Sequence, residues 1–326
     1  MMPALYPLRL QPQFMERIWG SDSLAPLYER TFPKPVGEVW LTGDDCKVAN
    51  GPLAGESVAQ LAKRFGTELI GEAAPQPERF PLLVKFIFPR EKLSVQVHPD
   101  DETARGAGLP CGKTECWYVL AAEPGAQVAL GLKRGVTRAQ LREAIQGKTA
   151  ENLLNWVNVQ AGEMIYVDAG TVHTIGPGVV LLETQQNSDT TYRLYDYGRS
   201  RELHVEQGLA ATKEQTGSGK VSPSGQNGNL NLVTSPCFVV HRRQLKQNKE
   251  QIVTRHMPPS SVQIVVGLKG KASISANGQT AELLPGEAVA IPASASQFSI
   301  RPEADLDYIH VALPQEKVPH PETVMK

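Results

Sequence analysis

The sequence has few cysteines and no long apolar run, and these absences exclude several classes of protein. It contains four cysteines in 326 residues, and Cys46, Cys111, Cys116 and Cys237 form no Cys-x-x-Cys pair. A chain of this length does not need disulfides, so we expect reduced thiols and a cytoplasmic protein. No stretch approaches the ~20 apolar residues that span a bilayer. The N-terminus lacks the basic-then-apolar pattern of a signal peptide, so we expect no membrane association.

The sequence also lacks an excess of either charge. Lys and Arg total 33, Asp and Glu total 34, and the formal net charge is -1. This balance gives no electrostatic reason to expect nucleic acid or an anionic membrane as a partner. A small anionic substrate is still compatible with it, because local Lys and Arg side chains can bind one. The length allows two domains with sizeable cores, and it leaves open a monomer or a small homo-oligomer.

The hydrophobic pattern predicts a mainly β protein. Short runs rich in Val, Ile and Leu, such as residues 82–87 and 179–182, recur between turn-forming residues. An internal repeat is suggested by the likeness of residues 161–173 to residues 285–297, which places Gln297 where the first copy has His173. Two barrels of the jelly-roll type would account for such a repeat.

A few helices are predicted from their capping residues. Ser57 is expected to cap a helix that ends at Gly66. Thr137, followed by a glutamine three residues later, is expected to cap a second helix that ends at Gly147. A third helical segment is predicted over residues 150–157.

The clearest boundary is a segment rich in Gly, Ser, Pro and Asn at residues 216–229. Such a composition predicts a flexible, protease-sensitive linker. It would divide a catalytic domain, residues 1–215, from a β-barrel domain without a metal site, residues 230–326.

Four polar side chains form a candidate metal site. Gln96 and His98 are two residues apart in a strand-like stretch and therefore point to the same face. Glu115 lies in a second apolar strand, where a carboxylate is costly to bury unless it is paired or bound to a metal. His173 follows Gly170, which permits a tight turn. Two imidazoles, a carboxylate and an amide oxygen suit zinc or another divalent metal, although Gln96 could instead hydrogen-bond a ligand or a substrate hydroxyl.

Three further residues are candidates for catalysis and substrate binding. Glu183 ends the apolar run 179–182, where burial would raise its pKa into the range of a general base; it could instead be a structural partner of Arg193. Lys113 and Ser94 each lie two residues before a proposed ligand, so they share that ligand's face and could bind phosphate or sugar hydroxyls.

The combination of segments resembles the type I phosphomannose isomerases of the short bacterial class, in the cupin superfamily. The matching segments are residues 16–20 (ERIWG), 37–40 (GEVW), 93–100 (LSVQVHPD), 113–118 (KTECWY), 170–173 (GTVH) and 189–193 (DTTYR). The resemblance implies a cupin jelly-roll barrel with a small helical insertion, followed by a second, smaller, degenerate cupin-like barrel.

The resemblance also implies a chemistry. Gln96, His98, Glu115 and His173 would bind one Zn²⁺ per chain, with another divalent metal as an alternative. The enzyme would interconvert mannose 6-phosphate and fructose 6-phosphate through a cis-enediol. Arg193 would be an active-site cation beside the developing enediolate, although a strand arginine paired with Asp189 or Asp196 is the simpler structural interpretation.

Two other functions remain open at this point. Two histidines and a carboxylate are also the metal ligands of non-haem Fe(II) oxygenases, which occur on cupin barrels. A non-catalytic bicupin that binds a sugar phosphate without converting it is the alternative from another class.

Overall fold

The computed structural model describes residues 4–254, 261–316 and 318–324. The predicted outer domain limits, residues 1 and 326, lie outside this part of the chain. The strands of the N-terminal half are β1 (Leu8–Leu10), β2 (Gln13–Ser21), β3 (Val36–Trp40), β4 (Leu82–Ile87), β5 (Val95–Val97), β6 (Glu115–Ala122), β7 (Gln127–Leu132), β8 (Leu154–Asn158), β9 (Met164–Val167), β10 (His173–Ile175), β11 (Val179–Gln186) and β12 (Tyr192–Tyr195).

Within the described residues, the chain from Gly219 onward forms strands only, and all the helices lie before Gly219. These strands are β13 (Gly219–Val221), β14 (Ser224–Gln226), β15 (Asn229–Thr234), β16 (Val239–Leu245), β17 (Gln251–Thr254), β18 (Gln263–Lys269), β19 (Ala272–Ala276), β20 (Gln279–Leu283), β21 (Ala288–Ile291), β22 (Gln297–Pro302) and β23 (Leu306–Ala312). The helices are α1 (Val58–Phe65), α2 (Asp101–Gly106), α3 (Arg138–Gln146) and α4 (Val205–Ala211), with 3₁₀ turns at Gly51–Leu53, Gly66–Glu68 and Ala150–Leu153.

The strands form four antiparallel sheets in two pairs, which confirms the predicted double-barrel β architecture. Sheet I has the order β12-β5-β10-β7-β8, and sheet II has the order β13-β9-β6-β11-β4-β3-β2. Sheet III has the order β1-β21-β18-β23-β16-β15-β14, and sheet IV has the order β17-β22-β19-β20. Sheets I and II enclose the N-terminal barrel, and sheets III and IV enclose the C-terminal barrel.

Alternation along β4 shows how the layers stack. Leu82, Val84 and Phe86 are buried in a core that sheet II shares with sheet III, whereas Ile87 belongs to the core between sheets I and II. Successive side chains of a strand point to opposite faces, so Lys85 points into the N-terminal barrel with Ile87. The two seven-stranded sheets therefore pack back to back, and one apolar layer joins the barrels.

The two predicted capped helices are confirmed. Ser57 accepts a hydrogen bond from the Gln60 backbone N–H at the start of α1, and Thr137 accepts the equivalent bond from Gln140 at the start of α3. Both helices form the full reciprocal capping box. On the outer face of sheet I, α3 and α4 share an apolar core with the strands.

The predicted helix over residues 150–157 is wrong beyond its first turn. Residues Ala150–Leu153 form a 3₁₀ turn, and the chain then continues as β8, which pairs with β7. Strand pairing satisfies the backbone and buries Leu154 and Val157, and this outweighs the local helical preference.

The segment 216–229 is not an irregular linker. Its residues form β13, which pairs with β9 in sheet II, and β14, which pairs with β15 in sheet III. Ser218 is buried and its hydroxyl accepts from the Asp168 N–H. The chain therefore crosses from one barrel to the other through paired strands. At the opposite end, β1 pairs with β21, so the N-terminal strand belongs to the C-terminal barrel's sheet.

None of the four helices within the described residues has the length and apolar character of a membrane span.

Candidate metal centre and active-site cavity

His98, Glu115 and His173 converge inside the N-terminal barrel. Strand β10 pairs with β5 so that His173 lies opposite Gln96, and Glu115 begins β6 on the facing sheet. Their ligand atoms all lie within 4.8 Å of one another, and each side chain is almost fully buried. Gly170, at φ 89°, forms the predicted turn before His173, and its N–H donates to the His98 carbonyl at 2.8 Å.

The two imidazoles are oriented as metal ligands usually are. His98 Nδ1 donates to the Thr190 carbonyl at 2.8 Å, and His173 Nδ1 donates to the Thr171 carbonyl at 2.9 Å. Each Nε2 is therefore left unprotonated and faces Glu115. Burial lowers the pKa of His98 well below its ordinary value and lowers the pKa of His173 to about 4. Neutral imidazoles beside a buried carboxylate fit a divalent cation.

Gln96 lies at the edge of this group. Its amide Nε2 is 3.4 Å from His173 Nε2, and its oxygen accepts from the Ser94 hydroxyl at 3.4 Å. In this orientation the amide oxygen points away from the His98–Glu115–His173 group. A half-turn of the amide would bring the oxygen to the group, so both predicted roles of Gln96 stay as predictions.

A polar cavity of about 270 Å³ opens beside the three residues. It is lined by all the remaining candidates that the sequence analysis named, namely Ser94, Gln96, Lys113, Glu183 and Arg193. Lys113 Nζ lies 3.0 Å from His98 Nε2 and 3.1 Å from Glu115 Oε2. The cavity and the His–Glu–His group therefore form one continuous site.

Glu183 is buried and ion-paired, but with lysines and not with Arg193, the alternative partner that the sequence left open. Its Oε1 lies 3.2 Å from Lys85 Nζ and 3.9 Å from Lys113 Nζ, rather than against Arg193. Burial and the Glu115 charge raise the pKa of Glu183 above its ordinary value, against the two lysines, which lower it. A raised pKa was the expectation for a general base at this position.

Within the residues that the structure describes, Arg193 lines the cavity without a carboxylate partner of its own. Its guanidinium donates to the Glu202 carbonyl at 2.8 Å, and its Nε is buried without a hydrogen bond. In the described chain, Asp196 pairs instead with Arg199 and Arg201. Burial and the neighbouring Arg201 lower the pKa of Arg193. The alternative interpretation, a structural pairing of Arg193 with Asp189 or Asp196, is not borne out, and the guanidinium can meet an anionic group in the cavity.

Several cavity residues received no role from sequence reasoning. They are Arg17, Glu38, Lys85, Thr191 and Arg201. One signal was available, because Lys85 is the single charged residue in the apolar run 82–87, and a lysine on the inward face of a buried strand is rare without a partner. Arg17 and Glu38 lie within segments that carry the family resemblance, but their proximity depends on strand pairing that the sequence does not reveal.

The comparisons with known proteins agree with this geometry. A family model described as phosphomannose isomerase type I, catalytic domain, matches residues 7–145. The probable mannose-6-phosphate isomerase GmuF of Bacillus subtilis (strain 168) is 34% identical over 313 residues, covering 90% of this chain and 96% of that protein. The chain belongs to the type I phosphomannose isomerase family.

Other members of the phosphomannose isomerase family match over nearly their whole length. The mannose-6-phosphate isomerase of Streptococcus mutans serotype c is 32% identical over 318 residues, covering 93% of this chain and 97% of that protein. The crystal structure of the mannose 6-phosphate isomerase from Bacillus subtilis matches with a TM-score of 0.81 at 30% identity, covering 94% of this chain and 99% of that one. These matches confirm the predicted fold class.

Proposed function

We propose that the protein is a metal-dependent aldose–ketose isomerase that interconverts mannose 6-phosphate and fructose 6-phosphate through a cis-enediol. The observation that carries this proposal is the site itself. Two neutral imidazoles and a buried carboxylate lie beside a cavity, next to Lys113 in its lining, and a buried carboxylate and several cations form its wall. Membership of the phosphomannose isomerase family supports the same reaction.

One Zn²⁺ per chain, or another divalent cation, would be held by His98, Glu115 and His173, with Gln96 as a fourth ligand. When bound, such an ion polarises the oxygens of a sugar as a Lewis acid. The support for this assignment is the pair of Nε2 lone pairs turned toward Glu115, together with the backbone carbonyls that hold both rings.

The other candidate residues would transfer the proton, stabilise the developing charge and place the substrate. After ring opening, a proton moves between C2 and C1, and Glu183 is the proposed base that takes it from one carbon and returns it to the other. Arg193 would stabilise the negative charge that develops on the enediolate oxygens. Lys113 and Ser94 would place the substrate, through its phosphate or its hydroxyls.

The charge of the cavity favours a sugar phosphate over the substrate of an oxygenase. The lining carries five cations, Arg17, Lys85, Lys113, Arg193 and Arg201, against three carboxylates, Glu38, Glu183 and Asp189, and this excess of positive charge suits a phosphate dianion. The buried Glu183 gives the site a proton acceptor, which a purely binding bicupin would not require. The proposed compartment is the cytoplasm, and the four free cysteines support it.

A coupled isomerase assay tests the proposal. Mannose 6-phosphate should be converted to fructose 6-phosphate, activity should disappear after exhaustive chelation, and zinc should restore it. Activity that survives chelation would contradict a metalloisomerase. Substrate-dependent oxygen consumption by the iron-loaded protein would favour the oxygenase, and binding of the sugar phosphate without turnover would favour the non-catalytic bicupin.

A further inference from the structure

Six charged side chains alternate in sign across the inner face of sheet II. In spatial order they are Arg17, Glu38, Lys85, Glu183, Lys113 and Glu115, and we call them the charge row. The distances between consecutive members are 2.7, 3.3, 3.2, 3.9 and 3.1 Å. The row connects the mouth of the cavity with the candidate metal centre, and its formal charges sum to zero.

Glu38 has its two carboxylate oxygens committed to different tasks. Oε2 accepts from Arg17 Nη2 at 2.7 Å and from Trp40 Nε1 at 2.9 Å. Oε1 is thereby turned toward Lys85, which donates to it at 3.3 Å. Arg17 therefore sets the orientation of a carboxylate that in turn holds Lys85.

Lys85 depends on this arrangement because it has little access to water. Its side chain is 5% exposed, and it is clamped between Glu38 and Glu183. Burial alone would lower the pKa of Lys85, but the two carboxylates raise it above its ordinary value. The ammonium is thus charged and fixed beside Glu183, which the proposed function uses as the base.

The backbone of β3 makes room for Arg17. A Cβ added at Gly37 would lie 2.6 Å from Arg17 Cβ and 2.6 Å from the Trp19 ring. The stem of Arg17 therefore lies against bare backbone beside Glu38. Arg17 and Trp19 face the cavity, while Ile18 between them is 58% exposed.

We propose that Arg17 is a positioning residue which, acting through Glu38, fixes the Lys85 ammonium beside Glu183. This inference rests on the proposed isomerase function. Without Arg17 the charge row carries a net negative charge, and Trp40 alone is left to hold Oε2 of Glu38, so the carboxylate is less firmly oriented toward Lys85. Lys85 then shifts relative to Glu183, and turnover falls because the proton-transfer geometry is less well defined.

Steady-state kinetics of Arg17 and Glu38 variants test the inference. Arg17→Met should lower kcat about tenfold with little change in KM, the size expected for coupling within one ion-pair network. Arg17→Lys keeps the positive charge but lacks the planar guanidinium with its paired N–H donors, so its kcat should lie between those of Arg17→Met and the wild type. Glu38→Gln should resemble Arg17→Met, and the double variant should be no worse than the more impaired single variant. Arg90→Met, which breaks the exposed Arg90–Asp22 pair, is the matched control and should be unchanged.

The opposing outcome is that Arg17 holds the substrate's phosphate directly. In that case Arg17→Met would raise KM and the inhibition constant for inorganic phosphate at unchanged kcat, and the losses from Arg17→Met and Glu38→Gln would multiply. Either result overturns the inference.

A second readout does not use activity. In protein labelled with ¹³C-lysine, the Lys85 side-chain resonance should shift in Arg17→Met and Glu38→Gln and stay in place in Arg90→Met. If the wild-type chain is inactive on mannose 6-phosphate, the proposed function fails while this spectrum still decides the inference. A Lys85 resonance unmoved by Arg17→Met overturns it.

Discussion

The two barrels share one hydrogen-bond pattern and differ in what their inner faces hold. In the N-terminal barrel the Gly162 N–H donates to the Val119 carbonyl at 2.8 Å, and in the C-terminal barrel the Gly286 N–H donates to the Gly267 carbonyl at 2.9 Å. The strands β6 and β9 thus correspond to β18 and β21. The register along these strands therefore matches individual residues of one barrel with residues of the other.

The register places one neutral amide where the metal centre has its carboxylate. Glu115 pairs with Val167, and at the corresponding place Gln263 pairs with Ile291. Gln297 begins β22 as His173 begins β10, but Gln297 is exposed whereas His173 is buried, and Phe298 faces the core of the C-terminal barrel instead. A carboxylate in the N-terminal barrel therefore has an amide as its counterpart at this place in the C-terminal barrel.

The correspondence extends to the next two strands. Glu183 pairs with Lys85 across β11 and β4, and His310 pairs with His241 across β23 and β16. The His310 ring nitrogen lies 2.7 Å from Gln263 Oε1. One frame therefore supports either a lysine–carboxylate ion pair or a histidine–amide hydrogen bond, and the comparison teaches that the charged side chains, more than the strand pattern, distinguish the candidate catalytic barrel.

The sharpest way to break the comparison is to replace charged or nitrogen ligands of the N-terminal barrel by neutral amides like Gln263. Glu115→Gln and His173→Gln should each remove the bound metal and reduce activity below detection, because each replaces an anionic or strong nitrogen ligand by a weak amide. Metal analysis and the isomerase assay measure both effects. The control is Gln297→Ala, which should keep both the bound metal and the activity. Full metal content in either ligand variant would remove that residue from the ligand set.

The next largest effect is expected at Glu183. Glu183→Gln should lower kcat by about 10²–10⁴-fold, the usual contribution of a general base. Its counterpart variant, His310→Gln, should leave kcat unchanged.

The pH dependence of kcat follows from the direction of the Glu183 shift. A base acts only when deprotonated, and burial raises the pKa of Glu183 above its ordinary 4.5. As the pH is lowered, kcat should therefore begin to fall at a pH above 4.5. This loss of activity on the acid side of the pH profile should be absent from the residual activity of Glu183→Gln. An acid limb at or below 4.5 would contradict Glu183 as the base.

A smaller effect is expected at Arg193. Arg193→Ala should lower kcat by about 10²-fold at normal metal content, because the guanidinium acts on charge that develops during the reaction. Arg301→Ala, an exposed arginine on β22 of the C-terminal barrel, is the control. Near-normal kcat with a raised KM would show that Arg193 binds the substrate uniformly instead.

What the sequence predicted well was local. The alternation in residues 93–100 placed Gln96 and His98 on one face, and the capping residues Ser57 and Thr137 marked two helices. Each of these inferences uses residues within a few positions of one another, where backbone geometry is decisive.

What the sequence could not predict was set by distant pairing. The predicted helix over residues 150–157 became β8 because β7 was available as a partner, and residues 216–229 joined two sheets despite a linker-like composition. The charge row needs side chains from β2, β3, β4, β6 and β11, strands that lie far apart in the chain. The predicted division at residues 215 and 230 remains a prediction, and the core shared by sheets II and III bears directly on it.

A substitution in the core that sheets II and III share should have the smallest effect on function and a clear effect on stability. Phe86→Ala should lower the free energy of unfolding by about 3–5 kcal/mol, because Phe86 is fully buried in the layer between the barrels. Both barrels should unfold in one transition. Ile252→Ala, at a side chain that is 59% exposed, should change the free energy of unfolding by less than about 0.5 kcal/mol. Chemical denaturation followed by fluorescence and by circular dichroism measures both; two separate transitions would show that the barrels are independent.

Anomalous diffraction from crystals of the zinc-loaded protein tests the central claim most directly. The account predicts one strong peak per chain, bound by His98 Nε2, His173 Nε2 and the Glu115 carboxylate. A main peak elsewhere, or a second peak of equal strength beside Gln263 and His310, would contradict the assignment of the metal centre to the N-terminal barrel.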